Sequence, residues 1–168
     1  PVLSRDGVSL TVANTRRNLP EALSPQIKST NFLNNILAKR ESIAAGTFDS
    51  LFLNWKDELT ECTVSNLFFI SGKTLHTPAL DCGILDGITR TIVMTLAQEE
   101  GVPVREGHYH LADLQRAEEC FLTNTSMEIM PVNRVDSFAI GDGRPGSLTR
   151  RLQTRFADSR TRFLEPPS

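Results

Sequence analysis

The chain has 168 residues, 39% of them hydrophobic, and sets 18 Lys+Arg against 20 Asp+Glu for a formal net charge of −2. That is apolar material enough for one buried core, which excludes a disordered tail. The near-neutral balance excludes a general electrostatic pull toward nucleic acid or an anionic membrane, and no apolar run approaches the length of a membrane span.

Cys62, Cys82 and Cys120 are odd in number and show no C-x-x-C spacing. Reduced thiols in a cytoplasmic protein are therefore expected, not a disulfide framework. No signal peptide or internal repeat is read, and the start at Pro1 reads as processing or as a fragment.

Residues 1–27 read as two short extended pieces, with Val8–Val12 alternating like a half-buried strand and Pro20 and Pro25 punctuating a loop. From Lys28 to Gly46 the pattern predicts an amphipathic helix. Ser29, Thr30 and Asn31 offer caps, Leu33, Ile36, Leu37, Ile43 and Ala44 share one apolar stripe, and Gly46 ends it. The stripe is expected to be buried. Lys28 would then sit at the helix mouth with its amine partly desolvated, which favours the neutral, nucleophilic form. By position alone Lys28 is an ordinary surface charge.

Strands are predicted at 50–54 and within 59–70, with a polar turn at 55–58. A hairpin turn at Ser71-Gly72-Lys73 leads to a returning strand over 73–77, completing an antiparallel meander. After a loop at 78–86, Gly87-Ile88-Thr89-Arg90 opens a helix with Ile88, Ile92, Val93, Leu96 and Ala97 on one face, ending at Gly101. A strand at 103–110, a short helix at 111–117 and a strand at 119–123 follow. Extended pieces come at 129–132 and 137–140, a glycine-rich turn at 141–146, and a basic amphipathic helix at 147–164. Helices mixed with antiparallel hairpins predict an α+β, or mixed α/β, domain over residues 1–168.

Four features carry chemistry. Glu61 sits among strand formers, where a carboxylate either faces water at an edge or is paired with a cation or a ring nitrogen. Gly87-Ile88-Thr89 at a helix start offers backbone N–H groups to an anion, although an ordinary cap looks the same. Thr123-Asn124-Thr125-Ser126 is a polar cluster at a strand exit that also suits a plain turn. With Lys28, these suit a phosphorylated cofactor with a ring nitrogen that forms an imine. His108 and His110 alternate on a strand, but no third ligand of suitable spacing is evident, so no metal is expected.

Three stretches together resemble the class IV aminotransferases, the fold type IV pyridoxal-phosphate enzymes. They are Lys28–Lys39, Thr60–Phe68 and Leu85–Arg90, with Phe121–Ile129 and Ile140–Gly146 extending the likeness over nearly the whole chain. The resemblance implies the family's larger, C-terminal domain, a barrel-like sheet with surrounding helices, without the smaller N-terminal domain. It implies pyridoxal 5′-phosphate as cofactor, with Lys28 as its Schiff-base lysine and proton carrier, and Glu61 on the pyridine nitrogen. Leu85 would pack on the ring. Ile88, Thr89, Thr125 and Ser126 would cradle the phosphate, and Asn66 would hold the turn near Glu61.

The implied reaction transfers the amino group of a branched-chain or similar amino acid to a 2-oxo acid, in a homodimer. Cys62, Asn124, Met127 and Met130 are more similar to aminodeoxychorismate lyases, which release pyruvate and 4-aminobenzoate. Thr125, Glu128 and the Gly141–Gly146 turn are more similar to transaminases, and Phe32 stands near where branched-chain enzymes often carry tyrosine. A cofactor-free structural or interaction domain is the reading from another class.

Overall fold

The computed structural model describes residues 2–160 and residue 162. It opens with α1 (Val2–Asp6), β1 (Val8–Val12), α2 (Leu33–Ala45) and β2 (Asp49–Leu53). The meander follows as β3 (Leu59–Cys62), β4 (Asn66–Ser71) and β5 (Thr74–Pro78), then a 3-10 turn (Leu80–Cys82) and α3 (Ile88–Glu99). The last third holds β6 (Val104–Gly107), α4 (Leu111–Gln115), β7 (Glu119–Asn124), β8 (Glu128–Val135), β9 (Phe138–Ala139) and α5 (Ser147–Asp158).

The strands run in the order β3-β2-β1-β8-β7-β4, and β3 also pairs with β4, so six strands close into a barrel. Strands β5 and β6 extend the sheet beyond β4, and β9 pairs with β8. The fold is the expected α+β barrel with surrounding helices. Strand β1 lies parallel to both β2 and β8. A parallel neighbour needs a crossover, which the long 13–32 loop and α2 supply between β1 and β2.

Continuous apolar runs such as Leu67-Phe68-Phe69-Ile70 arise because β4 is covered on both faces. Leu67 and Phe69 join Leu10, Leu51, Leu59, Leu122 and Val132 in a cluster fed by all six barrel strands, which is the barrel interior. Phe68 and Ile70 face outward, onto Val93 and Leu96 of α3 and Leu148 and Leu152 of α5. Phe68 stacks on Phe121 with centroids 5.1 Å apart.

The structure departs from the sequence reading in several places. Residues 2–6 are helical, not extended. The predicted strand over 59–70 is two strands, β3 and β4, broken by a turn at 63–65. Helix α2 begins at Leu33, five residues after Lys28, and no side chain caps it. Ser29 Oγ instead accepts from the Asn31 N–H (3.3 Å), and the Thr30 carbonyl accepts from the Phe32 N–H (2.9 Å).

The stripe expected to be buried is exposed: Leu33 is 63% and Ile43 69% accessible. The buried residues of α2 are Ala38 and Ser42, because only small side chains permit the close approach to Ala13 and Phe52. Gly46 ends the helix in the left-handed region, as expected. The final helix spans Ser147–Asp158; of the expected stretch to 164, residues 161, 163 and 164 lie outside the described residues, as does Pro1.

Candidate active site

The site begins with a cross-strand row. Glu61 on β3 pairs with Asn66 on β4, and Asn66 pairs with Thr123 on β7. Directly opposed residues stand close enough for side chains on one face to interact. The Asn66 amide donates to Glu61 Oε2 (2.9 Å) and to the Leu85 carbonyl (2.8 Å). The Leu85 N–H also donates to Glu61 Oε2 (3.1 Å).

Beyond β1, the chain continues along β2, with the Ala13 N–H on the Leu51 carbonyl and the Arg17 N–H on the Leu53 carbonyl. This path carries the buried Arg17 to Glu61, where Nη2 donates to Oε1 at 2.5 Å. The guanidinium is fixed by the Gly83 carbonyl (3.1 Å), by Asn35 Oδ1 (3.2 Å) and by the Phe52 ring (5.3 Å).

Burial pushes the Glu61 carboxyl up to about 7, against a downward pull led by Arg17 and then the Leu85 N–H. All three groups bonded to it are N–H donors, an arrangement that suits the carboxylate and offers nothing to a carboxyl proton.

A second wall is the start of α3. Gly87 is its N-cap, with no side-chain cap, so the first-turn N–H groups keep their capacity for an acceptor. A Cβ at Gly87 would stand 2.2 Å from Asn66 Oδ1, so only glycine allows this approach. Thr89 is buried and Ile88 exposed.

These walls enclose a cavity of about 490 Å³. Lys28, Glu61, Leu85, Ile88, Thr89 and Thr125 all line it, although they come from four separate stretches of chain. Ser126 is not part of the lining: its N–H turns to Asn124 Oδ1 (3.0 Å). Lys28 is exposed, so the expected partial burial of its amine at a helix mouth is not found. Its place follows from the loop ahead of α2, which buried Pro25 anchors.

The sequence reading missed Arg17 and Asn35. A buried Glu61 requires a partner, but nothing local selects one arginine among many. Two buried hydroxyls of the same lining, Ser65 Oγ and Thr123 Oγ1, have no partner among the described residues. Unmet polar atoms in a pocket are what a polar ligand satisfies. A more open hollow of about 700 Å³ beside Gly7 and Phe48 holds no carboxylate, histidine or cysteine.

A closed barrel with a buried acid, an uncapped helix start and a lysine around one cavity defines a small-molecule site of cofactor size. The chain belongs to the amino-transferase class IV family, whose model matches residues 1–135.

It is 38% identical over 136 residues to the D-alanine aminotransferase of Listeria monocytogenes, covering 81% of this chain and 47% of that protein. It is 36% identical over 151 residues to the aminodeoxychorismate lyase of Bacillus subtilis, covering 90% and 50%. The solved T.th. branched-chain amino acid aminotransferase with pyridoxamine 5′-phosphate superposes with a TM-score of 0.89 at 29% identity, covering 93% and 52%. The chain thus spans about half the length of the relatives it matches.

Proposed function

We propose that this chain is the larger, cofactor-binding domain of a pyridoxal 5′-phosphate aminotransferase that moves the amino group of a branched-chain or similar amino acid to a 2-oxo acid. The observation that carries the proposal is the make-up of one cavity, which joins a buried acid, an uncapped helix start and a primary amine. Pyridoxal phosphate, when bound, supplies an electron sink for charge developing at the amino acid's Cα.

The chain's own residues do the rest. Glu61 holds the ring nitrogen protonated, and Arg17, Asn66 and the Leu85 N–H hold Glu61 in place. The first-turn N–H groups of α3, at Ile88 and Thr89, receive the phosphate with help from the Thr89 and Thr125 hydroxyls. Leu85, which lines the cavity, would pack on the ring. The Lys28 amine would be the group that holds the cofactor, and its Nζ would take up the Cα proton and return it.

The likeness to the Bacillus subtilis enzyme supports a second reading, elimination of pyruvate from an aminodeoxychorismate with release of 4-aminobenzoate. Transamination stops without a 2-oxo acid acceptor; the elimination does not. A homodimer is supported by the apolar side chains that α2 leaves exposed. A cytoplasmic location is supported by three buried cysteines with no disulfide among them. No helix among the described residues is long and apolar enough to cross a membrane.

The test is borohydride reduction of the protein with pyridoxal phosphate, followed by peptide mapping. The pyridoxyl group is expected on Lys28, and Lys28→Ala should lose both the label and the visible absorbance. A label on another lysine rejects the role given to Lys28, and no label at all leaves the cofactor-free structural domain.

A further inference from the structure

We propose that Glu58, Cys82 and His108 form a binding site for a thiophilic divalent cation, zinc foremost, separate from the cofactor cavity. Spacing along the chain hides this site. Glu58 ends the turn before β3, Cys82 closes the 3-10 turn after β5, and His108 follows β6. His110, the other histidine of the alternating pair, is engaged elsewhere, with Nδ1 on the Asp57 carbonyl (3.0 Å) and its N–H on Asp113 Oδ2 (2.9 Å).

The spacings from His108 Nδ1 to its two neighbours are those of a coordination shell. His108 Nδ1 lies 3.1 Å from Glu58 Oε1 and 3.6 Å from Cys82 Sγ, and all three donors lie within 4.8 Å of one another. Tetrahedral zinc with ordinary bond lengths sets nitrogen and oxygen about 3.3 Å apart, and nitrogen and sulfur about 3.5 Å apart. A single imidazole nitrogen has one lone pair or one proton, so Nδ1 serves only one of these two neighbours at a time. A cation between them serves all three donors.

The outer partners are in place as well. The far nitrogen of His108 meets Asp81 Oδ2 at 3.3 Å, the carboxylate–histidine arrangement that orients a metal-binding ring. The far oxygen of Glu58 accepts from the Asn54 amide at 2.7 Å, and that amide also donates to the Cys82 carbonyl (3.2 Å). Zinc takes the thiolate, so the Cys82 thiol proton passes to water on binding, and a fourth position is left to water.

The site is tied to the cavity wall. The carbonyl of Gly83, next to Cys82, holds Arg17, and two residues later the Leu85 N–H holds Glu61. A cation on Cys82 pins the segment that orients the buried acid.

The test titrates the reduced, cofactor-loaded protein with Co²⁺ alone, then with Zn²⁺ alone against a chromogenic chelator. One equivalent of Co²⁺ should give a thiolate-to-cobalt charge-transfer band and the visible bands of a tetrahedral site, and Zn²⁺ should abolish both. Cys82→Ser should lose the charge-transfer band. His108→Gln, at a half-exposed position that folding tolerates, should weaken Zn²⁺ binding about 100-fold, and Asp81→Asn about 10-fold. Absence of saturable binding in the parent protein overturns the proposal. So does undiminished binding in His108→Gln, which decides the matter even if Cys82→Ser does not fold.

Discussion

Replacing Arg17 with Met isolates the energetics of the buried acid. The substitution keeps most of the side-chain volume but removes the donors to Glu61, Asn35 and Gly83. Breaking a buried ion pair from one side leaves an uncompensated charge and costs roughly 3–5 kcal/mol, a large share of the roughly 5–15 kcal/mol that holds a domain of this size.

The pH dependence follows from Glu61, whose carboxyl is raised from 4.5 to about 7 by burial. A carboxyl raised on folding binds more protons in the native state than in the unfolded one. Its contribution to stability is therefore complete below about 4.5 and is lost as pH rises through about 7. Without Arg17 the carboxyl rises further, so the deficit of Arg17→Met relative to the parent should be small at pH 5 and largest at pH 8. Adding Glu61→Gln removes the stranded charge and should recover most of the loss at pH 8. Urea unfolding of the cofactor-free protein at both pH values reads this directly. A loss under about 1 kcal/mol at pH 8, or an equal loss at both pH values that Glu61→Gln does not repair, would refute a charge-paired Glu61.

Two further substitutions probe the cavity and the helix beside it. Gly87→Ala places a Cβ 2.2 Å from Asn66 Oδ1 and forces that amide off Glu61 and the Leu85 carbonyl. Losing bonds to a charged group, at about 1.5–3 kcal/mol each, should weaken pyridoxal phosphate about 10- to 100-fold in a fluorescence titration; an unchanged affinity contradicts the role given to Asn66. On α2, Leu33→Gln with Ile43→Gln should change the stability of the dissociated chain, measured at high dilution, by no more than about 0.5 kcal/mol, because within one chain these side chains are already in water. A loss of about 2 kcal/mol or more in chemical denaturation at high dilution would show that the stripe is covered within the chain itself.

What the sequence made legible was local. Alternation placed β1, a short apolar run placed β2, and turn chemistry placed the β4–β5 turn and β5 close to their observed limits, because those signals do not depend on distant partners. The apolar stripe of α2 was legible as a pattern, but a pattern reports that a face is apolar and not that anything lies against it. The helix packs instead through Ala38 and Ser42, and the Ser50 hydroxyl donates to the Ala38 carbonyl at 2.6 Å, a contact that larger side chains would block. Arg17 was invisible because its partner lies 44 residues away, beyond α2 and β2, and the loop that carries Arg17 shows no period. The five-residue α1 was too short to give one.

The division of labour in the cavity follows from which groups the barrel holds. Glu61 sits on a strand of the closed ring, and donors from a loop, a strand and the approach to α3 fix its carboxylate. An acid proposed only to hold a ring nitrogen would gain from that rigidity, since electrostatic support is strongest when nothing must reorganise. Lys28 is the opposite case. It lies on a loop, is exposed, and has no hydrogen bond or ion pair to its amine among the described residues. The proposed proton carrier would have to reach one atom and then another, and that needs such freedom. The amine therefore cannot be recognised by burial, and only the company it keeps around the cavity marks it.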